Sequence, residues 1–323
     1  MLLFVAQRVL QAIAVMLVVS LLVFVGVYAI GNPVDVMIGP DATQQMRDQL
    51  IERYGFDRPL YEQYFSFLWR LLHGDLGTSL VFNMPVLQLM SSRLPATLEL
   101  TLAAVIGATV IGVPLGIYAG YRPESPLSRL IMSLSILGFS VPTFWIGLVL
   151  IFIFAVSLGW LPAGGRGDTV DIFGSQWSFL TLSGLQHLLL PALNLSLFKM
   201  ALMIRLARAG TREAMLSDTV KYARGLGQSE WTVLRHHVFW LISIPLVTVF
   251  GLELGTTLAF AVVTETIFSW PGLGKLIIDS IFMLDRPVMI AYLVVVAFVF
   301  VTINLVIDIV YVALDPRLRK ASS

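Results

Sequence analysis

The chain has 323 residues, of which 57% are hydrophobic and 13% charged, and its formal net charge is +1. Soluble domains carry about 25% charged residues, so this composition argues against a water-soluble globule. Disorder needs low hydrophobicity and high charge, and nucleic-acid binding needs a basic excess, so both classes are excluded as well. There is no cysteine, which excludes disulfides, thiolate metal sites and cysteine nucleophiles. The composition predicts an all-α polytopic membrane protein.

Apolar runs long enough to cross a bilayer occur six times. A helix needs about 20 apolar residues to span a hydrocarbon core of roughly 30 Å. The predicted transmembrane helices cover residues 9–30, 98–120, 130–158, 188–207, 238–263 and 289–313. The first run is too long for the core of a cleaved signal peptide, so we expect an uncleaved span. The third is long enough to tilt or to enclose a break at Pro142.

The basic residues predict the orientation of these spans. With the N-terminus inside, the inner segments hold twelve of the lysines and arginines and the outer segments eight. Seven acidic residues share the first outer loop, residues 31–97. Because inner loops are enriched in lysine and arginine, we expect both termini in the cytoplasm.

Three loops are large enough to carry a function. The outer loop 31–97 contains an amphipathic stretch, residues 44–72, whose aromatic side chains suit a membrane interface or a docking face. A second outer loop, residues 159–181, is rich in glycine and aspartate. The inner loop 208–237 has a helical rather than a slack pattern.

Two charged residues lie near the middle of predicted spans, Lys199 in the fourth and Glu253 in the fifth. A lone charge at the bilayer centre costs at least about 2.5–3.5 kcal/mol, so each should be paired or face water. We therefore expect both on the pore side, where they pair or contact substrate; alternatively Lys199 extends to the inner surface. Pro142 and Phe144 mark either a pore-lining break or an ordinary proline bend.

Enzyme motifs are missing from the sequence. The segment most similar to a phosphate-binding loop, residues 271–276, lacks the first glycine and the hydroxyl residue of the motif G-x-x-x-x-G-K-[ST]. No H-E-x-x-H occurs, and the adjacent imidazoles of His236 and His237 diverge on a helix. We expect no catalytic residue, no metal and no cofactor in this chain; an intramembrane hydrolase has no positive support.

The inner loop carries the most informative pattern. Residues 213–221 favour an amphipathic helix, which Gly225 and Gly227 can end with a left-handed turn. Ser229 can cap a following helix that re-enters the fifth span through His237. Such a rigid protrusion could receive a push from a soluble partner, although an ordinary cytoplasmic connection fits the pattern too.

This loop resembles the E-A-A motif of permease subunits of binding-protein-dependent ABC importers. It is closest to the dipeptide/oligopeptide/nickel branch, whose signature is E-x-x-x-x-D-Y-[IV]-R-x-A-R-x-K-G. The matching residues are Glu213, Asp218, Val220, Lys221 (a conservative match for arginine), Ala223, Arg224 and Gly227. The departures are Met215 for the second alanine, Thr219 for tyrosine and Leu226 for lysine.

Five further blocks resemble the same branch in the same order. They are residues 55–60 (GFDRPL), 73–79 (HGDLGTS), 93–100 (RLPATLEL), 264–274 (TETIFSWPGLG) and 315–319 (DPRLR). The block 264–274 is the most specific of them. Together with a compatible topology they make the resemblance cover nearly the whole chain.

The resemblance implies one half of a translocation unit in the bacterial inner membrane. A second, related permease would complete the pore, two cytoplasmic ATPase subunits would bind ATP and Mg²⁺, and a periplasmic or lipid-anchored binding protein would deliver the ligand. The residues it assigns to the ATPase contact are Glu213, Ala214, Asp218, Lys221, Arg224, Gly227 and His237. Those it assigns to a periplasmic gate or loop are Glu265, Phe268, Trp270, Pro271 and Gly272.

The ligand class stays open within this resemblance. Peptides are expected, but nickel chelates, opines, glutathione or glycans use the same machinery. A secondary transporter driven by an ion gradient is the rival from another class, and it would favour inverted repeats and broken helices around a midplane site. No such repeat is evident, and the inner loop would have no role there.

Overall fold

The computed structural model is mostly helical and describes residues 2–29, 43–45, 48, 51, 57–79 and 81–314. The helices are α1 (Leu2–Ala29), α2 (Leu60–Leu72), α3 (Val86–Tyr121), α4 (Pro126–Ser140), α5 (Thr143–Leu150), α6 (Leu182–Leu216), α7 (Asp218–Gly225), α8 (Glu230–Val233), α9 (Phe239–Phe260), α10 (Val262–Ile267), α11 (Leu273–Phe282) and α12 (Arg286–Leu314). A π-helix, Ile151–Ser157, continues α5, and another, Leu234–Val238, joins α8 to α9.

Five helices in the described part of the chain are long and apolar enough to span a membrane. They are Ala6–Gly26, Val86–Tyr121, Leu182–Leu216, Glu230–Phe260 and Arg286–Ile309. The segments Pro126–Gly138 and Thr143–Ser157 form a sixth if the pair, bent by 106°, counts as one span. Val141 before the bend is extended, as expected for a residue preceding proline, and Pro142 precedes the first turn of α5.

Several helices continue beyond the predicted spans. α3 begins twelve residues before the predicted start at 98, so the first outer loop ends at Pro85. α6 has 35 residues, which makes it about 52 Å long at the usual helical rise. It runs through the predicted fourth span to Leu216, so the protrusion begins as a direct extension of a membrane helix.

The tightest helix packing joins α3 to α6 through glycines. A Cβ at Gly116 would lie 2.5 Å from the Ile204 carbonyl oxygen, and one at Gly120 would lie 2.7 Å from that of Arg208. Only glycine lets the two backbones approach this closely, which is a common way for helices to associate in membranes. α9 packs on α12 in a similar way, with Gly251 facing the side chain of Ile307.

An ion pair joins the start of α1 to the C-terminal part of α12. Arg8 Nε lies 3.3 Å from Asp308 Oδ2. The partner of Asp308 thus lies on another helix. The start of α1 and the end of the last helix therefore lie side by side.

The outer loop 159–181 contains a β-hairpin, which the all-α prediction missed. β1 (Val170–Ile172) pairs antiparallel with β2 (Ser175–Trp177). Phe173 and Gly174 at the turn have positive φ, and the Asp171 carboxylate accepts a hydrogen bond from the Gly174 amide at 3.0 Å. Two successive positive φ angles suit a tight hairpin turn.

Candidate functional site

The predicted coupling helix is divided at Ser217, so its predicted bounds of 213–221 are wrong. Glu213 and Ala214 lie in the last turn of α6, and Asp218 begins α7. The Ser217 hydroxyl accepts a hydrogen bond from the Val220 amide, which makes Ser217 the N-cap of α7. The chain therefore turns sharply where one continuous helix was expected.

Of the two glycines predicted to end this helix with a left-handed turn, Gly227 does so, whereas Gly225 is the last residue of α7 and has no positive φ. Gly227 has φ +74°, a left-handed conformation that glycine adopts without strain. Its amide donates to the Arg224 carbonyl at 2.9 Å. Ser229 then caps α8 by accepting from the Thr232 amide. We refer to the end of α6 from Glu213, together with α7 and α8, as the stub.

One side of the stub is buried against the membrane helices. Val220 and Ala223 of α7 and Val233 of α8 belong to a single apolar cluster with Met203 and Ala207 of α6. Their side chains are at most 1% exposed. Because a close-packed cluster transmits displacement, the stub is fixed rigidly to the spans.

The other side of the stub is exposed and partly apolar. Leu216, Tyr222, Leu226 and Trp231 are 62–75% exposed, and together we call them the apolar face of the stub. Beside it, Arg224 Nε and Nη2 each donate to a carboxylate oxygen of Glu230 at 3.0 Å. These hydrogen bonds raise the pKa of the Arg224 guanidinium above its ordinary value.

The residues predicted to contact an ATPase divide into two groups. The exposed ones are Glu213, Asp218, Lys221, Arg224 and Gly227. Ala214 is buried in the cluster beneath the stub. His237 is half-buried, with Nε2 2.8 Å from Gln228 Oε1. Ala214 and His237 thus hold the stub in place, and the exposed group surrounds the apolar face.

Lys199 and Glu253 form an ion pair between α6 and α9. Lys199 Nζ lies 2.7 Å from Glu253 Oε2, and the side chains are only 10% and 15% exposed. Pairing was one of three alternatives for these residues. Each charge satisfies the other in a region where an isolated charge would be costly.

The proline break positions α5 against two other elements. Pro142 and Phe144 are both exposed. One turn further on, Gly147 is buried, and a Cβ there would lie 3.3–3.4 Å from Phe268, Asn194 and Ile267. α5 therefore packs on α6 and α10 through this glycine, while Phe144 stays available on the surface of the chain.

The predicted gate block, residues 264–274, is mostly buried. Glu265 and Trp270 are fully buried and Phe268 is 1% exposed. Trp270 Nε1 donates to the Ala96 carbonyl at 2.8 Å. Gly272 is buried and Pro271 half-buried. The block therefore forms a packed joint against the start of α3 and not an exposed surface.

Hydrogen bonds organise this joint around the Glu265 carboxylate. Thr97 Oγ1 donates to Glu265 Oε1 at 2.7 Å and accepts from the Leu273 amide at 2.8 Å. The Lys275 amide donates to Glu265 Oε2 at 2.9 Å. Burial raises the pKa of the Glu265 carboxyl, while these bonds to Thr97 and Lys275 oppose the rise. α3, α10 and α11 thus meet at one carboxylate.

A second buried carboxylate was missed from the sequence. Glu99 of α3 binds Arg166 of the outer loop, with Nε and Nη2 at 3.0 and 2.8 Å from Oε2. The amide and hydroxyl of Ser178 also donate to Glu99. Glu99 lies at the start of the second predicted span, but 67 residues separate it from Arg166 and no spacing rule links them.

Another missed contact connects the block 73–79 to the start of α12. Asp285, just before α12, is fully buried and accepts a hydrogen bond from the Ser79 hydroxyl. Within the described ranges, no three histidine, aspartate or glutamate side chains come together in a way that could hold a metal ion. That no cofactor resides in this chain stays a prediction.

Family models match most of the sequence. Residues 112–320 match the binding-protein-dependent transport system inner membrane component, and residues 1–101 match the N-terminal model of the same kind of membrane component. The chain belongs to this family. The predicted family is thereby confirmed, and the chain is a multi-pass membrane protein. Of the blocks quoted above, 55–60, 73–79 and 93–100 fall in the region 1–101, and 213–227, 264–274 and 315–319 fall in the region 112–320.

Curated relatives in this family align over their full lengths. The di/tripeptide transport system permease protein DppB of Pseudomonas aeruginosa (strain UCBPP-PA14) is 39% identical, with 99% of each chain covered. The oligopeptide transport system permease protein AppB of Bacillus subtilis (strain 168) is 38% identical over 98% of this chain and 99% of its own. The glutathione transport system permease protein GsiC of Escherichia coli O6:H1 is 36% identical, with 99% coverage of both.

A solved structure shares the fold of this membrane component. It is a chain of the MetNI methionine ABC transporter in an inward-facing conformation, with a TM-score of 0.55. The match covers 68% of this chain and 93% of that one, at 16% identity. The likeness supports the helical architecture alone.

Proposed function

We propose that this chain is the permease subunit of an ATP-driven ABC importer, forming half of the pathway that carries di- or oligopeptides, or similar small solutes, across the bacterial inner membrane. Full-length relatives named as permeases of peptide and glutathione systems support this function. The main observation behind this proposal is the geometry of the stub, which is packed rigidly on the spans and has an exposed apolar face. The chain belongs to this family and lacks a nucleotide-binding motif.

We place both termini and the stub in the cytoplasm, and the loop 31–97 in the periplasm. The basic residues of the inner segments support this orientation. The Arg8–Asp308 ion pair supports placing both ends on the same side, since it puts the start of α1 beside the C-terminal part of α12. We treat residues 1–323 as a single transmembrane domain, with residues 208–237 as the coupling loop.

The stub would receive force from a cytoplasmic ATPase and pass it to the spans. The apolar face and the surrounding charges Glu213, Asp218 and Arg224 would enter a groove of the ATPase. Val220 and Ala223, buried against α6, would carry the movement into the membrane. ATP and Mg²⁺ would be bound in two ATPase subunits, so this chain contributes no catalytic residue.

The conformational cycle requires two arrangements of the spans with different partner affinities. Nucleotide binding would bias the balance only through differential contacts with the two arrangements. A second, homologous permease would complete the pathway, and a periplasmic or lipid-anchored binding protein would deliver ligand from outside. We place Lys199, Glu253, Pro142 and Phe144 along or beside this pathway, and the joint around Glu265 at its periplasmic end.

A pull-down with a matched control tests this function. Leu226→Asp in the apolar face should abolish co-purification of an ATPase from the native membrane while the variant still inserts. Phe173→Asp at the exposed hairpin tip, on the other side of the membrane, should leave co-purification unchanged. Retention of the ATPase by Leu226→Asp would remove the assigned role of the stub.

Transport by the purified assembly separates the importer from its rivals. In liposomes, uptake of a dipeptide should require ATP and the binding protein, and an ion gradient alone should drive none. Uptake by this chain alone under an ion gradient would establish a secondary transporter. Stimulation of ATP hydrolysis by glutathione, a nickel chelate, an opine or a glycan, but not by peptides, would reassign the ligand within the same machinery.

A further inference from the structure

The helix α2 carries a stripe of exposed apolar side chains. Tyr61, Phe65, Trp69 and Leu72 are spaced four, four and three residues apart, so they share one face of the helix. They are 62–80% exposed. We call these four residues the aromatic stripe. An exposed row of this kind in a short helix needs a partner to cover it.

A second face of α2 packs against the first membrane helix. The Tyr64 ring lies edge-on to Phe24 with centroids 5.4 Å apart, and the Phe67 ring is 6.0 Å from Phe24. The Tyr64 hydroxyl lies 2.9 Å from Ser20 Oγ and donates to the Leu17 carbonyl at 3.3 Å. Ser20 is six residues before the end of the candidate span at Gly26, or about 9 Å inside it.

A third face of α2 is polar. Glu62, Ser66 and Arg70 follow each other at four-residue spacing, and all three are exposed. The helix thus presents one side to α1, one apolar side and one polar side. This three-sided pattern suits a helix lying at a boundary between hydrocarbon and water.

The apolar surface of α1 continues into the aromatic stripe. Leu21, Leu22 and Val25, at the same end of α1 as α2, are 46–66% exposed. α1 is a candidate span, so its exposed apolar side chains lie within the nonpolar layer of the bilayer. A helix packed along this end of α1 shares the same surroundings.

We propose that the aromatic stripe is a lipid-binding face. α2 lies in the bilayer interface with Tyr61, Phe65, Trp69 and Leu72 against acyl chains and headgroups of a phospholipid membrane, and with Glu62, Ser66 and Arg70 in water. Tyrosine and tryptophan are the residues that prefer this depth. The inference requires only that α1 spans the membrane, and it does not depend on peptide import.

This placement of α2 has a mechanical consequence for the outer segment 57–79. The chain leaves α2 through the block 73–79, whose Ser79 binds the buried Asp285 before α12. The outer segment is therefore held at two points, one in the lipid interface and one in the protein core. Lipid contact at the stripe sets the height of this segment above the membrane.

The absence of cysteine makes the proposal directly testable. Single variants Phe65→Cys and Trp69→Cys place a spin label on the stripe, and Glu62→Cys and Ser66→Cys place matched labels on the polar face. The full chain, in the assembly with which it purifies, is reconstituted in phosphatidylethanolamine–phosphatidylglycerol vesicles. Collision rates with oxygen and with a water-soluble nickel chelate are measured by electron paramagnetic resonance.

Labels at 65 and 69 should collide often with oxygen and rarely with the nickel chelate, and labels at 62 and 66 should show the reverse. Low collision rates with both reagents at 65 and 69 would mean that a protein partner covers the stripe, which would overturn the proposal. Frequent nickel collisions at all four positions would place α2 in water and overturn it equally. All four positions are exposed, so these substitutions leave the packing on α1 intact.

Discussion

Lys199 of α6 and Glu253 of α9 lie 2.7 Å apart and are largely shielded from solvent. This pair joins the helix that ends in the stub to the helix that follows it. Any movement of α6 relative to α9 must therefore move the two paired side chains together, or break or rearrange their ion pair. The two helices are coupled by this pair as well as at the stub.

Removing one member of this pair should destabilise the chain strongly. Lys199→Met leaves the Glu253 carboxylate buried without its counter-charge, a change that costs about 3–5 kcal/mol in comparable sites. The unfolding temperature in detergent should fall strongly for Lys199→Met and recover in the double variant Lys199→Met/Glu253→Met. The charge-reversed double variant should likewise recover transport that either single reversal loses. If stability returns in the double variants but transport does not, the pair contacts substrate as well.

Glycines in the joint around Glu265 should not tolerate a methyl group. A Cβ at Gly274 would lie 2.6 Å from the Val262 Cα, and one at Gly272 would lie 2.3 Å from Glu265 Oε1. Gly274→Ala, which meets backbone, should cost about 1–3 kcal/mol, the range for overpacked cores. Gly225→Ala at the end of α7, where nothing lies within 4 Å, is the matched control. Equal unfolding temperatures for the two variants would contradict the packing described for the joint.

The Glu99–Arg166 pair should hold the β-hairpin on the membrane body. The side chains are 1% and 9% exposed, so Arg166→Gln leaves a buried carboxylate with only the Ser178 donors. We expect faster proteolytic cleavage within 159–181 for this variant, and a loss of about 3–5 kcal/mol in stability. The exposed neighbour Asp168→Asn supplies the control. Unchanged cleavage in Arg166→Gln would show that other contacts anchor the hairpin.

The membrane helices could be predicted from sequence because the bilayer sets their length and polarity. The ends could not, since α3 and α6 continue beyond their apolar runs into segments that pack on other parts of the protein. Residues 86–97 and 208–216 are helical for this reason. Within the predicted amphipathic stretch 44–72, the structure gives a helix from Leu60 to Leu72, and much of the earlier part lies outside the described residues.

The sequence of the stub contains a local signal for a helix boundary that the predicted helix 213–221 does not take into account. Ser217 followed by Asp218 is a recognisable N-cap, and it divides the segment that was predicted as one helix. The long-range contacts have no such signal. Glu99 and Arg166, or Ser79 and Asp285, meet only because the helices between them fold back on each other. The family resemblance located the block 264–274 but not its burial, because a motif does not say which side chains face the core.

The Arg224–Glu230 pair should matter for coupling much more than for stability. Both side chains are more than 40% exposed, and exposed ion pairs contribute at most about 1 kcal/mol. Arg224→Ala should therefore leave the unfolding temperature of this chain nearly unchanged while it reduces ligand-stimulated ATP hydrolysis by the assembly. The exchanged variant Arg224→Glu/Glu230→Arg keeps the pair and the local fold but reverses the charges presented to a partner. If the assembly with this variant hydrolyses ATP as the native assembly does, the pair only braces α7 against α8. If the assembly fails as it does with Arg224→Ala, Arg224 itself contacts the ATPase. Normal stimulation in both variants would exclude Arg224 from the contact and confine the docking surface to the apolar face of the stub.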